Sequence, residues 1–281
     1  MTNRDAIQKK AVSAIVKNKF NGVIDISPRF GKSKTVIDAI RKIKEEIPIL
    51  IIAPYNQILE SWKEEFIKWD YYHPDITLLN QRSLSKVNVN KFPLIILDEC
   101  HTLSPRQLAI LSAHKGRMLG LSGSISEDTK LRLKDTLELD MIYTYSVGEA
   151  VKDKIVADYE INIITLPLDT KKKYIAAGSK DKPFKTTEAA HYKYLTKQFI
   201  QAAAIVKKDK SKEGWLKAIL GKRARAVYSY QSKIDLTKKL LAKLDERTLV
   251  FTTLTTNDLV PHKHDSKTKE DNLTKFVEGE I

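Results

Sequence analysis

The sequence holds a single cysteine in 281 residues, Cys100. No disulfide can form within the chain. That excludes a disulfide-stapled secreted scaffold and suits a reducing compartment. No apolar run approaches the length of a membrane span, and the first residues are polar. These two absences argue against a spanning helix and a secretory leader, so the expected location is the cytoplasm, with no membrane partner. Acidic residues are in deficit: 35 Asp and Glu stand against 49 Lys and Arg, a formal charge of +14. The deficit is concentrated. From Asp169 to Arg225 there are sixteen Lys and Arg and five Asp and Glu. A basic excess gathered into one segment suits phosphate contacts better than general solubility. Apolar content is ordinary, so a chain of this length holds one large or two modest domains.

The chain is organised around Ser27-Pro28-Arg29-Phe30-Gly31-Lys32-Ser33. A short apolar run from Gly22 to Ser27 precedes it and reads as a buried strand. From Lys34 to Lys44, Val36, Ile37, Ile40 and Ile43 recur at helical spacing. Strand, tight loop with Gly-Lys-Ser, then helix is the setting of a phosphate-binding loop. Backbone N–H groups and the helix N-terminus favour an anion there. Lys32 would reach the outer phosphates and the Ser33 hydroxyl would ligate magnesium, with Arg29, Phe30, Gly31 and Lys34 completing the loop. The usual first glycine is replaced by Ile26, and Arg29 takes the place of a second.

About 65 residues later the apolar run Leu94 to Leu97 leads into Asp98-Glu99-Cys100-His101. Two adjacent carboxylates at the end of a buried strand are costly unless they meet a cation or a proton transfer. Asp98 would hold magnesium and Glu99 would polarise an attacking water.

These motifs, in this order, resemble those of superfamily 2 helicases of the DExH kind, and most of all phage and bacterial DNA translocases of the UvsW and restriction-motor type. The resemblance covers most of the chain. It implies hydrolysis of ATP with Mg²⁺, coupled to movement on DNA, single-stranded or branched. It also assigns roles. Gln8, on a helix from Arg4 to Val16, would read the adenine edge, which needs a group that both donates and accepts. Pro54, Tyr55 and Asn56, after a second buried strand at Ile49 to Ala53, would lie near the nucleic-acid backbone. Gln81 and Arg82, after a third strand at Asp75 to Leu79, would do the same. His101, with Ser122 and Ser124 at the end of a strand from Arg117, would link the ATP site to the nucleic acid. Two other readings stay open: an RNA helicase, and a nucleic-acid-binding module with little ATPase of its own. A small-molecule kinase has no use for the Asp-Glu-x-His motif or the basic segment.

Strands alternating with helices, ending with Met141 to Tyr145, imply an α/β fold with a parallel sheet and the site at the strand C-terminal ends. Residues 1–155 are expected to form a RecA-like domain, 156–230 a linking strand and a basic, mainly helical insertion, and 231–281 the start of an incomplete second RecA-like domain. A helix is expected over Gln57 to Trp69, with Trp62 and Trp69 on its buried stripe, and another over Ser104 to Ser112. The linking strand is placed at Ile155 to Leu168. Within the basic segment, Glu188 to Val206 reads as a helix that packs through Tyr192, Leu195, Phe199 and Ile200. The charges of Lys171, Lys172, Lys173, Lys222, Arg223 and Arg225 are assigned to nucleic acid. A helix at Ile234 to Leu244, a strand at Thr248 to Thr252 and a segment at His264 to Thr268 resemble the opening of the second motor domain. No candidate for the later motor motifs follows. The expectation is weak turnover by the chain alone, with a further polypeptide as one source of the missing half.

Overall fold

The computed structural model describes residues 3–178, 181–244, 248–252, 262 and 272–280. The chain divides into two compact units, Met1–Ile161 and Asn162–Ile281.

The first unit is a six-stranded sheet flanked by helices, the RecA-like α/β arrangement. Its elements are α1 (Asn3–Lys17), β1 (Gly22–Ile26), α2 (Lys32–Ile40), β2 (Ile49–Ala53), α3 (Asn56–Lys68), β3 (Ile76–Asn80), β4 (Leu94–Leu97), α4 (Pro105–Leu111), β5 (Arg117–Ser122), α5 (Glu127–Leu137), β6 (Met141–Tyr145) and α6 (Val147–Lys152). The strand order is β3-β2-β4-β5-β1-β6, and every pairing is parallel. Parallel strands need crossover helices, and those helices cover both faces. The strand sequences show it. In β2, Ile49 and Ile51 join one apolar cluster while Leu50 and Ile52 join the other; in β4, Leu94 and Ile96 part from Ile95 and Leu97 in the same way. Side chains two apart share a face, so an unbroken apolar run feeds two cores at once. Each fully buried Ile or Leu contributes roughly 1.5–3 kcal/mol. Ser104 caps α4 in a capping box with Gln107, with Pro105 in the first turn, as the sequence implies.

The second unit holds the antiparallel hairpin β7 (Ile175–Gly178) and β8 (Pro183–Thr186), then α7 (Glu188–Lys208), α8 (Glu213–Ser229), α9 (Gln231–Leu241) and α10 (Asn272–Glu278). Its anchor is a buried carboxylate. Glu188, fully buried, accepts from the Asp169 amide at 2.9 Å, the Ser232 amide at 3.0 Å, the Ser232 hydroxyl at 2.6 Å and the Tyr174 hydroxyl. Burial pushes its carboxyl up, but these donors together outweigh burial and hold it at about 2. One side chain thus ties the segment before β7, the start of α7 and the start of α9.

Three expectations fail here. The linking strand is absent: Ile155 and Val156 pack on the first unit's core, and 157–168 form no strand. Strand conformation persists by pairing, and among the described residues no sheet takes this stretch in; Ile161 and Ile163 face solvent instead. Residues 248–252 likewise form no strand. Ile200, expected in the packing stripe of α7, is 61% exposed, while Leu195 is buried. The segment His264 to Thr268 lies outside the described residues. The hairpin β7–β8 has no counterpart in the sequence reading.

Candidate functional site

β5 lies between β1 and β4 in the sheet and all three run parallel, so the loops after them gather at the C-terminal ends of the strands. The loop after β1 turns through Arg29 (φ 62) and Gly31 (φ 95), both in the left-handed region. Glycine enters that region freely; an arginine there is strained by about 1–2 kcal/mol. The position that carries Arg29 instead of a glycine therefore still adopts the glycine conformation. Gly31 also caps α2 without a side chain, and no side-chain cap bond closes the helix start. The first-turn N–H groups of a helix have no partner within it, which suits an anion.

Lys32, the first residue of α2, reaches across the end of β5 to Glu99 after β4, with Nζ 2.7 Å from Oε1. The path is narrow: a Cβ on Gly123 would stand 3.2 Å from Pro28 Cγ and 3.4 Å from Lys32 Nζ. Glu99 is itself left-handed at φ 49, an uncommon state for a non-glycine that clusters at functional sites. His101 Nδ1 pairs with Ser122 Oγ at 2.8 Å and lies 3.4 Å from Glu99 Oε2. Ser122 Oγ in turn meets the Ser124 amide and carbonyl, each at 3.3 Å. The structure therefore brings Lys32, Glu99, His101, Ser122 and Ser124 into one connected set.

Asp98 is buried beside them. Its Oδ2 accepts from Trp62 Nε1 at 2.8 Å and its Oδ1 from the Glu99 amide at 3.0 Å. Burial pushes its carboxyl above the usual range, with the Trp62 bond and the Lys32 charge pulling the other way. Each carboxylate oxygen keeps a second lone pair. Asp98 and the Ser33 hydroxyl are hard oxygen donors of the kind magnesium takes. That ion is commonly held by one or two carboxylates, waters and the phosphates of its substrate. No group of three or more His, Cys, Asp or Glu among the described residues forms a separate metal cage. Cys100 is buried and its thiol is pushed up to about 12 by burial and the neighbouring carboxylates, so it is inert as a nucleophile.

Four expected ligands are placed otherwise. Phe30 has its ring fully buried, tilted against Tyr145 with centroids 5.1 Å apart; only its backbone belongs to the loop. Gln8 is 5% exposed and donates from Nε2 to the Phe30 carbonyl at 2.9 Å, while Arg4 grips the Phe30 and Arg29 carbonyls. The glutamine thus shapes the loop from below. Lys34 turns along α2 to Asp38 at 2.8 Å and over the Trp69 ring. Gln81 is 5% exposed. Its Nε2 donates to Thr102 Oγ1 at 3.0 Å, and Thr102 donates to the Glu99 carbonyl at 2.8 Å. Gln81 therefore braces the Glu99 loop and is withdrawn from the surface set.

Pro54, Tyr55, Asn56 and Arg82 line an open groove of about 600 Å³ at the ends of β2 and β3, together with Glu60 and Glu64. Tyr55 is 56% exposed, and Asn56 accepts from Asn80 at 2.8 Å. In the second unit Lys171, Lys172, Lys173, Lys222 and Arg225 are exposed. Arg223 is not: it lies over the rings of Tyr192 and Phe199 and donates to the Tyr192 hydroxyl, so it holds α8 against α7.

Two neighbours of the site escape the sequence reading. Asp25, on β1 opposite Ser122 of β5, is a half-buried carboxylate. Burial raises it, while the Ile125 amide and the charges of Lys130, Lys32 and His101 lower it. An acid inside an apolar strand was the available signal. Trp62 fits its buried helix stripe, but its bond to Asp98 had no signal in sequence spacing.

No known family model matches the chain. It is 28% identical over 303 residues to the DNA 3'-5' translocase XPB2 of Sulfurisphaera tokodaii, a match covering 97% of this chain and 68% of that protein. Among solved structures, the Hef helicase domain of Pyrococcus furiosus is 13% identical with a TM-score of 0.40, over 51% of this chain and 37% of that one. T4 UvsW is 17% identical with a TM-score of 0.40, over 49% of this chain and 33% of that one. The chain thus spans about a third of the length of these two structures. The XPB2 match extends over nearly the whole of this chain.

Proposed function

We propose that this chain is the ATP-hydrolysing part of a DNA translocase or helicase of the DExH kind, acting on single-stranded or branched DNA. The observation that carries the reading is the Lys32–Glu99 pair at 2.7 Å, joined through His101 to Ser122. A lysine at a helix start, a carboxylate and a hydroxyl relay at the C-terminal ends of neighbouring strands are the parts phosphoryl transfer needs. Lys32 and the first amides of α2 bind the outer phosphates. Ser33 and Asp98 are the residues that would hold Mg²⁺, which would supply charge neutralisation at those phosphates. Glu99, freed from Lys32 when phosphate takes the lysine, orients the attacking water. His101 passes the state of Glu99 to Ser122 and Ser124, whose hydroxyls exchange partners at little cost. Pro54, Tyr55, Asn56 and Arg82 meet the nucleic-acid backbone at the groove, and the exposed lysines of the second unit add phosphate contacts.

The domain reading belongs to the same proposal: residues 1–155 carry the engine, 156–230 the basic insertion, and 231–281 open a second RecA-like domain. The match to XPB2, a DNA translocase, favours DNA over RNA. The test is ATP turnover by this chain alone and with single-stranded DNA, duplex DNA and RNA at fixed salt. DNA-stimulated turnover supports the proposal. Stimulation by RNA and not by DNA moves the chain to the RNA helicase reading, and DNA binding without any turnover leaves a binding module.

A further inference from the structure

The basic helical hairpin carries a feature that the phosphate reading leaves unexplained. Trp215, Ile219 and Lys222 stand four and three residues apart on α8, and Gln198, Gln201 and Ile205 three and four apart on α7. These spacings put each triplet on one helix face. Together they line a groove of about 650 Å³ between the two helices. Trp215 is 46% exposed in it. One turn on from Ile219, Arg223 is spent on packing, over Tyr192 at 4.8 Å and Phe199 at 5.7 Å. α8 buries no residue, and Trp215 is left about half open to solvent.

The surroundings name the occupant. Lys193, Lys197, Lys207, Lys208 and Lys210 are on α7 or the short turn after it and belong to the basic excess. The acids of the turn are already paired, Asp209 with Lys212 and Glu213 with Lys217. A half-exposed indole in a groove lined by Lys222, on a hairpin with a basic excess, matches a ligand with flat apolar faces and a polyanionic backbone. The two glutamine amides both donate and accept, as base edges do. We infer that this groove holds a single strand of DNA, with one base stacked on Trp215 and the flanking phosphates on Lys222 and its basic neighbours. The inference rests on the nucleic-acid reading above and adds that the bases, and not only the phosphates, are gripped.

The experiment measures binding of the full chain to a thymidine oligonucleotide of about fifteen nucleotides, within the range of single-strand site sizes, and to an abasic strand of the same length. Stacking predicts that the base-bearing strand binds the native chain about tenfold or more tightly than the abasic one. Trp215→Ala binds both strands equally, and Trp215→Phe, which keeps an aromatic face and controls for folding, retains most of the difference. Equal binding of the two strands by the native chain overturns the inference, as does a preference that survives Trp215→Ala. Tighter capture of polyglutamate than of either strand also overturns it, in favour of an acidic protein. If DNA stimulates ATP turnover while any of these holds, the groove inference fails alone; if DNA neither binds nor stimulates, the functional reading fails with it.

Discussion

The sheet unit and the helical unit differ first in what they bury. Every residue of β2 and β4 is buried, and apolar clusters cover both faces of the sheet. In the helical unit α8 and α9 bury no residue, and α7 buries only Glu188, Leu195 and Ala202. Dispersion and hydrophobic burial hold the first; a hydrogen-bonded carboxylate and cation–π contacts hold the second. The division matches the work proposed for each. Positioning Lys32 against Glu99 needs placement within fractions of an ångström, which a packed sheet supplies. Contact with a polyanion tolerates a softer frame, because its energy comes from charge and counterion release.

The largest test of that contrast is Ile51→Ala. Removing a fully buried side chain from an interior strand of a double core costs about 2–5 kcal/mol. Thermal melting of this variant should shift strongly, and hydrogen exchange should report the loss in the sheet. An equal loss across α7 and α8 would show that the two units unfold as one. Glu188→Gln is the counterpart in the helical unit. The native carboxyl is held at about 2 against an ordinary value of 4.5. Because its folded pKa is depressed, its contribution is complete above about 4.5 and is lost as pH falls toward 2. After solvent screening it is worth roughly 2 kcal/mol. Exchange protection in α7 and α9 should fall between those pH values in the native chain and show no such titration in the variant. A matching change in the sheet would break the contrast. The smallest effect is expected from Arg29→Gly. Relief of the left-handed strain at φ 62 is offset by the added freedom of glycine in the unfolded chain, for a net gain of up to about 1 kcal/mol. A loss of stability would mean that the arginine side chain holds the loop.

The sheet was legible because β2 and β4 are unbroken apolar runs and the other strands are largely apolar, with Pro54, Asp98 or Ser122 marking the ends of β2, β4 and β5. The loop after β1 and the Asp98-Glu99 pair were legible for the same reason: their chemistry sits where strands end. Side-chain direction was not. Gln8, Phe30, Lys34 and Gln81 occupy loop or helix positions that sequence spacing places near the site, yet packing turns all four inward or along a helix. Arg223 reads as one more basic residue; only the aromatic rings of α7 decide that it faces in. The stretch 157–168 has the composition of a strand, but composition supplies no partner, and an unpaired strand is only extended chain. The hairpin β7–β8 has only four residues a strand, with small residues filling β7, so neither of its strands rises above its surroundings.

The claim on which the rest depends is that Lys32 and Glu99 form one engine for ATP hydrolysis. The direct measurement is DNA-stimulated ATP turnover by Glu99→Gln and Lys32→Ala, with DNA affinity followed in parallel. The account predicts a fall of about 10²–10⁴-fold for Glu99→Gln, the range for removing a general acid–base group. DNA binding should persist, and Lys32→Ala with the double variant should fall little further, because residues that act as a unit are not additive. Turnover that survives Glu99→Gln unchanged would contradict it.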